Sequence, residues 1–223
     1  MTWLVIERPG VKLYKPFYST LKRLFDVTLS LLALIFLSPL IVMIILLIRF
    51  TSPGPVLFEQ DRLGKGGKLF RMYKFRTMYH QINRETHRAF MKAFINGQVA
   101  ADGEHEVFKP FDSSQVTSVG RILRKTSLDE LPQLINILNG EMSLVGPRPN
   151  VPWEAEEYCP WHQERFEVLP GITGLAQVRG RSAILFDEIV RCDVEYIERQ
   201  SLRLDIQILW RTVVSVLIGK GAH

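Results

Sequence analysis

Two adjacent carboxylates, Asp129 and Glu130, are the residues of this 223-residue chain whose types and spacing most clearly suit chemistry. They lie in the segment RKTSLDELPQL, where Ser127 and Glu130 have the S-x-x-E spacing of a capping box. This spacing predicts a helix that begins at Ser127 and stops at Asn139-Gly140. Both acids would then lie in the first turn, where the helix dipole favours negative charge and a lowered pKa keeps Asp129 ionised as a nucleophile. Most helices carry such acids for structural reasons alone, so the pair needs support from its neighbours.

Basic residues surround the acidic pair in the sequence. Arg121, Arg124 and Lys125 precede it, and Arg148 follows in a GPRP turn that two prolines make rigid. Guanidinium groups bind phosphate oxygens in a bidentate manner, and carboxylates can hold a divalent cation shared with a diphosphate. The cluster therefore predicts a phosphate-bearing substrate and a divalent cation.

Composition excludes several other classes of function. The net charge of +5 is small, and no zinc-finger spacing or RNA-binding aromatic motif accompanies it, so nucleic acid is not an expected partner. Cys159 and Cys192 are expected to be free thiols, and the five His residues have no metal-binding spacing. The length predicts one structural domain.

The elements that must position the pair begin with an apolar run over residues 24–50. The run is long enough to cross a bilayer, but Lys and Arg flank it on both sides, so the usual one-sided bias of a spanning helix is missing. Ser38-Pro39 near its middle predicts a bend. A re-entrant helix–break–helix and a kinked transmembrane helix both fit these residues. Asp26 is expected to pair with Lys22 or Arg23 at the membrane interface.

The rest of the chain predicts a mostly helical domain with little strand. Residues 56–78 predict two strands around the Gly64–Lys68 turn, which lacks the spacing of a phosphate-binding P-loop. Residues 80–97 have helical periodicity, and residues 98–118 are expected to form a loop.

Towards the C-terminus, the segment PGITGLAQVRGR reads as a Gly-punctuated loop, and a helix is predicted from Phe186 to Gln200. The final segment, from Ser201, fits either an amphipathic helix in the membrane interface or a core helix.

Eight segments in a fixed order resemble one family, the bacterial monotopic phosphoglycosyl transferases, also known as polyprenyl-phosphate sugar-phosphate transferases. The resemblance runs from about Leu21 to Val214. Its signatures are KRLFDV, LSPL, SPGPVLFEQDRLG, YKFRTM, LRKTSLDELPQL, MSLVGPRP, PGITGLAQV and SLRLDIQILWRTV. The chain departs from the common pattern at Ser114-Gln115, Arg179 and Gln200, so the resemblance does not fix the sugar.

The resemblance implies a mechanism. Asp129 would attack the diphosphate of a UDP-sugar, release UMP and form a covalent sugar-phosphate intermediate, which polyprenyl phosphate would then take up. Glu130, with Asp129, would hold Mg²⁺. The remaining expected roles are phosphate or substrate binding by Arg124, Arg148, Lys74, Arg76, Gln177 and Arg181, and membrane positioning by Lys22, Arg23, Ser38 and Pro39.

The resemblance also implies an α-rich α+β fold: a single membrane-associated domain with a re-entrant helix broken at Ser38-Pro39, interfacial amphipathic helices and a small β-hairpin. The expected division is an interfacial segment 1–21, the re-entrant helix 22–50 and a catalytic part 51–223. Expected partners are a UDP-sugar, polyprenyl phosphate, membrane lipid, downstream glycosyltransferases and a second copy in a homodimer. The expected location is the cytoplasmic face of the bacterial inner membrane. A non-catalytic scaffold for polysaccharide assembly and a lipid-phosphate phosphatase are the alternatives.

Overall fold

The computed structural model describes residues 16–79, 84–97, 115–180 and 185–218. The predicted substrate-binding residue Arg181 lies outside these ranges. The helices are α1 Pro16–Phe36, α2 Ser38–Thr51, α3 Arg84–Ile95, α4 Ser118–Thr126, α5 Gln133–Leu138, α6 Pro152–Ala155, α7 Leu175–Arg179, α8 Phe186–Arg199 and α9 Leu202–Ile218. The strands are β1 Leu57–Leu63, β2 Leu69–Phe75, β3 Ser143–Val145 and β4 Gly171–Thr173. A mostly helical chain with a small hairpin was predicted, and this part of the fold class is confirmed.

Helices α1 and α2 form a bent pair at the predicted break. Their axes differ by 63°. Pro39 lies in the first turn of α2, where a missing N–H costs nothing, and Ser38 Oγ donates to Ile35 O at 2.8 Å. In the described residues no single helix has both the length and the apolar character of a membrane span, whereas the bent pair has both when taken together. Large apolar side chains on both helices are exposed, among them Phe36 at 76% and Phe50 at 83%.

The predicted β-hairpin is present and is docked on α5. Strands β1 and β2 pair antiparallel, with Phe58 opposite Lys74. The buried Asn136 of α5 joins the edge of β2, because its Nδ2 donates to Arg71 O at 2.7 Å and its Oδ1 accepts from Tyr73 N at 3.1 Å. The hairpin is therefore fixed to the segment that carries the acidic pair.

The prediction that a helix begins at Ser127 is wrong. A helix over residues 118–126, which the sequence analysis did not predict, precedes this position, and Ser127 closes that helix in the left-handed conformation with φ of 56°. Ser127 makes no capping hydrogen bond with its side chain. Leu128–Glu130, the acidic turn, is a single 3₁₀ turn, and α5 begins only at Gln133. A left-handed serine reverses the chain, so the capping box cannot form.

The segment predicted as a Gly-punctuated loop contains the short strand β4 and the helix α7. Strand β4 pairs parallel with β3, in register Ser143 to Gly171 and Val145 to Thr173. The glycines allow this close approach, since a Cβ on Gly171 would lie 2.1 Å from Gly146 N. The pairing holds the start of the GPRP turn in place.

Helix α9, the C-terminal helix, combines features of both predicted alternatives. Asp205 and Ile208 are buried in the domain, whereas Ile206, Trp210 and Val213 are more than half exposed. Helix α8, predicted from Phe186 to Gln200, is confirmed and ends at Arg199.

Candidate active site

The acidic turn stands between two short helices and faces the end of the β-hairpin. Because Ser127 reverses the chain, α4 leads into the turn from one side and α5 leaves it on the other. Asp129 and Glu130 are both partly buried. Among the described residues, Ser127 is the only non-glycine residue with positive φ, and such backbone outliers are concentrated at functional sites.

Lys74, one of the predicted substrate-binding residues, contacts the acidic turn directly. Its Nζ lies 2.5 Å from Glu130 Oε1, and the two side chains are only 17% and 23% exposed. Lys74 is the penultimate residue of β2, so the Asn136 bridge between β2 and α5 also sets this ion pair. The structure thus brings together one predicted cation and one predicted acid that are 56 residues apart in the chain.

Arg124 approaches Asp129 from α4. Its Nε donates to Thr77 Oγ1 at 2.9 Å, and its positive charge opposes the rise that burial causes in the pKa of Asp129. The packing of α4 against the segment after β2 is close, since a Cβ on Gly120 would lie 2.1 Å from Thr77 O. Arg124 is therefore held in a fixed orientation beside the acid.

Arg148 and a second arginine, Arg62, supply positive charge on the Glu130 side. Arg148 is exposed in the GPRP turn and lowers the pKa of Glu130. Arg62, which was not predicted as a site residue, donates from Nη1 to Pro149 O at 3.0 Å. Burial, followed by the charge of Arg148, lowers the pKa of Arg62 to about 10. Sequence reasoning missed Arg62 because this residue lies in the hairpin, far from the acidic pair in the chain. Its hydrogen bond to Pro149 places it beside the GPRP turn.

Gln133 is the other neighbour that sequence reasoning missed. It is buried and its side chain forms a hydrogen bond with Glu130. Its position three residues after Glu130 was an available signal, because residues at that spacing share a face of a helical turn.

The two acids have pKa shifts in opposite directions. Burial raises the pKa of Asp129, and Lys74 and Arg124 only partly offset this effect. The expectation that the pKa of Asp129 is lowered is therefore wrong, because the helix start on which it depended is absent. For Glu130, burial also acts upward, but Lys74, Arg148 and the bonds from Lys74 and Gln133 bring the pKa below its ordinary value. Glu130 is the carboxylate that the site holds ionised, and Asp129 is the one whose charge the neighbouring cations compensate less completely.

Two predicted binding residues lie outside this cluster of contacts. Arg76 is 7% exposed, and its Nη2 donates to Ser52 O and Ser52 Oγ, both at 2.8 Å, so it fastens the end of β2 to the end of α2. Gln177 lies in α7 beside Gly174, and its buried amide atoms have no hydrogen-bond partner among the described residues. Neither geometry supports a role at the acidic turn.

The predicted membrane-positioning residues join the bent helix pair to the domain. Lys22 Nζ lies 3.1 Å from Asp205 Oδ2 of α9 and 3.8 Å from Asp26 Oδ1, so the predicted Lys22–Asp26 pair is confirmed. Arg23 does not pair with Asp26. Instead, its two Nη atoms donate at 2.5 and 2.9 Å to Ile137 O and Leu138 O, where the last carbonyls of α5 favour a cation.

The two carboxylates suit a magnesium ion that keeps phosphate and water in its shell. Mg²⁺ takes one or two carboxylates in such sites, with substrate oxygens as further ligands. Lys74 occupies Glu130 Oε1, which leaves Glu130 Oε2 and the Asp129 carboxylate as donors. Among the described residues no group of three or more His, Cys, Asp and Glu side chains is placed to hold a metal ion. A cation here would therefore take its further oxygen ligands from the substrate and from water.

The acidic turn thus combines a pair of carboxylates with several cations, next to a bent apolar helix pair, and such cations are groups that can bind phosphate oxygens. The sequence pattern of the bacterial sugar transferases matches residues 17–219. The chain therefore belongs to the bacterial sugar transferase family, a family of transferase enzymes.

Named relatives cover most of the chain. The exopolysaccharide production protein ExoY of Sinorhizobium fredii is 38% identical over 94% of this chain and 91% of its own length. The undecaprenyl-phosphate galactose phosphotransferase of Salmonella typhimurium is 42% identical over 91% of this chain but only 42% of its own length. The UDP-glucose:undecaprenyl-phosphate glucose-1-phosphate transferase of Caulobacter vibrioides is 37% identical over 100% of this chain and 79% of its own length. The chain thus spans less than half of one relative and about nine tenths of another.

Proposed function

We propose that this enzyme transfers a sugar 1-phosphate from a UDP-sugar to polyprenyl phosphate, an early membrane step of exopolysaccharide or glycoconjugate assembly. The observation that carries the proposal is the acidic turn itself, where Asp129 and Glu130 lie among Lys74, Arg124 and Arg148. Three cations around two carboxylates leave a positive excess for a diphosphate. The names of the relatives from Salmonella and Caulobacter support undecaprenyl phosphate as the acceptor.

In the first step, a carboxylate oxygen of Asp129 attacks the phosphorus that bears the sugar. The bond between that phosphorus and the bridging diphosphate oxygen breaks, and UMP leaves with the electron pair. In the second step, an oxygen of polyprenyl phosphate attacks the same phosphorus, and the bond to Asp129 breaks. The carboxylate is regenerated and a sugar diphospholipid forms.

The pKa shifts support separate roles for the two acids. Burial raises the pKa of Asp129 because Lys74 and Arg124 offset it only in part, and an anion whose charge is incompletely compensated is the more reactive nucleophile. Glu130 is held by Lys74 and Gln133, which suits an acid that keeps its charge and orients other groups. Mg²⁺ bound by Asp129 and Glu130 would neutralise negative charge on the diphosphate.

The bent helix pair is proposed to enter one leaflet and return, so that both basic flanks remain on the cytoplasmic side of the inner membrane. The 63° bend at Ser38-Pro39 and the exposed apolar side chains of both helices support this arrangement. Cysteine labelling of the two flanks in sealed vesicles tests it. Labelling from the same side is expected, and labelling from opposite sides would reject the re-entrant arrangement.

The catalytic proposal is tested by measuring UMP release from a panel of UDP-sugars, with and without polyprenyl phosphate. The full-length enzyme should release about one UMP per molecule without acceptor and turn over with it. Asp129→Asn should reduce both signals by at least about 10³-fold, because it removes the nucleophile. Asp61→Asn, an exposed site on β1, is the matched control. Normal turnover by Asp129→Asn would exclude Asp129 as nucleophile. Release of free phosphate instead of UMP would indicate a phosphatase, and no reaction with any sugar would favour a scaffold.

A further inference from the structure

A second positively charged feature lies between α7, α8 and α9. It is a cleft of about 180 Å³, referred to below as the arginine cleft. Its lining residues are Leu175, Arg179, Glu195, Arg199, Leu204, Gln207, Ile208 and Arg211. Among the described residues, three guanidinium groups and one carboxylate line the cleft, so these residues give it an excess of two positive charges.

The single acid of the arginine cleft orients two of its arginines. Glu195 Oε1 accepts from Arg179 Nη2 at 2.8 Å and from Arg199 Nη1 at 2.7 Å. Arg179 also contacts Glu195 Oε2, so this pair is bidentate. Side-chain exposure of 41% for Arg179 and 67% for Arg199 leaves both groups accessible to a ligand. The ion pairs hold the two guanidinium groups in place without neutralising the cleft.

The size and the lining of the arginine cleft restrict its ligand. Pockets for drug-sized molecules occupy roughly 300–1,000 Å³, so a cleft of about 180 Å³ is too small for a whole nucleotide sugar. Its lining is partly apolar, through Leu175, Leu204 and Ile208. A small anionic group joined to an apolar body fits this lining better than a free ion.

Helix α9, which lines one side of the arginine cleft, also carries an exposed apolar strip on another of its faces. Ile206, Trp210 and Val213 are 54%, 68% and 51% exposed. Gln207 and Arg211 each follow one residue of this strip, and so lie about 100° further round the helix axis. An apolar strip with an exposed tryptophan, bordered by cationic side chains, is typical of a helix in the plane of a membrane surface.

We propose that the arginine cleft binds the phosphate group of an anionic membrane phospholipid and thereby fixes the depth and orientation of α9 at the bilayer surface. Basic pockets of this kind between helices at the cytoplasmic face bind anionic headgroups. The proposal uses the membrane location suggested above but none of the catalytic chemistry, so a failure of one leaves the other standing.

The test measures lipid binding to the full-length protein in detergent micelles by native mass spectrometry, with phosphatidylglycerol and phosphatidylcholine as probes. Phosphatidylglycerol should bind at the lower concentration. Arg211→Gln should raise the half-saturating concentration of phosphatidylglycerol about tenfold, which corresponds to ~1.4 kcal/mol. Arg203→Gln removes the same charge from an exposed position of the same helix outside the cleft, and should change binding by less than about twofold.

A third variant protects the test against misfolding. Glu195→Gln keeps an oxygen that can accept from Arg179 and Arg199 but removes the negative charge that the described lining of the arginine cleft carries. Phosphatidylglycerol should therefore bind more tightly, a gain that an unfolded variant cannot produce. Equal losses in Arg211→Gln and Arg203→Gln would show general surface attraction and overturn the proposal. Displacement of the lipid by an equal concentration of inorganic phosphate would also overturn it, because the site would then be one for free phosphate.

Discussion

The acidic turn and the contact between α1 and α9 are both built from buried charges, but they differ in how completely those charges are used. Five residues form the contact between α1 and α9 and are referred to below as the anchor network: Tyr18, Lys22, Asp26, Tyr196 and Asp205. Asp205 is 0% exposed and accepts from Tyr18 at 2.9 Å, from Lys22 at 3.1 Å and from Tyr196 at 2.8 Å. Asp26 lies beside Lys22 and accepts from Leu144 N at 3.3 Å.

At the acidic turn, the charged groups are less completely paired with one another. Arg148 is exposed, and Asp129 has a raised pKa because its cations do not fully offset burial. Buried polar groups that are fully paired hold a structure in one arrangement, whereas groups with remaining bonding capacity can bind a ligand. The difference teaches that charge alone does not mark the active site. Substitutions in the anchor network should lower stability, and substitutions at the turn should lower activity while stability is kept.

Removal of the central acid of the anchor network should have the largest effect. Asp205→Ala removes the acceptor of the Tyr18 hydroxyl and the nearer of the two carboxylates that pair with Lys22, and it leaves the Tyr196 hydroxyl only Val145 O at 3.0 Å. The loss should be about 3–5 kcal/mol of unfolding free energy. For a chain of this size the melting temperature should fall by roughly 10 °C. Thermal unfolding of the full-length protein in detergent measures this, with Asp61→Asn as the exposed control. An unchanged melting temperature would show that the network does not anchor α1.

Lys74→Met should have the largest effect at the acidic turn. The change removes the cation that lies 2.5 Å from Glu130, so UMP release should slow by about 10²–10³-fold. The melting temperature should stay within about 3 °C, because the pair is partly exposed. Lys68→Met, at an exposed position in the hairpin turn, is the control. A large loss of stability with a normal rate would reverse the roles assigned to the two regions.

The pH dependence of the same variant sharpens the comparison further. Asp129 must be deprotonated to attack, so UMP release should fall as the pH drops through its pKa. Lys74 lowers that pKa by its charge, and its removal should therefore raise the pKa and move the acid limb of the rate profile to higher pH. Rates measured across the acid range, for Lys74→Met and wild type, provide the readout. If the acid side of the rate profile moved to lower pH instead, the titrating group would be one other than Asp129.

Tyr18→Phe should have the smallest effect. It removes one hydroxyl that donates to Asp205 at 2.9 Å, a loss of about 1 kcal/mol. The melting temperature should fall by about 2–4 °C with UMP release unchanged. Tyr79→Phe, an exposed tyrosine just after the hairpin, should change neither quantity. A slower reaction in Tyr18→Phe at full stability would indicate that the anchor network reaches the acidic turn.

Much of the local structure was predictable from sequence. The two strands around a Gly/Lys turn, the break at Ser38-Pro39 and the helix from Phe186 were all predicted, and the structure contains each of them. The wrong predictions came where contacts with distant parts of the chain, and not the local sequence pattern, decided the conformation. Ser127 has the spacing of a helix cap but takes a left-handed conformation, and the segment after Pro170 contains a strand whose partner is a tripeptide 28 residues earlier. Local spacing cannot report such long-range pairing.

For the candidate site, the sequence by itself determined which residues carry the charges: Asp129, Glu130, Arg124, Arg148 and Lys74 were all named from it. Only the tertiary structure decided how they meet, because Lys74 and Glu130 are brought to 2.5 Å by the docking of β2 on α5. The fold also recruited Arg62 and Gln133 and bound Arg76 to Ser52. It reversed the expected pKa shift of Asp129 as well. Burial and the distance between charges are set by packing, and these two quantities determine whether a carboxylate is stabilised or left reactive.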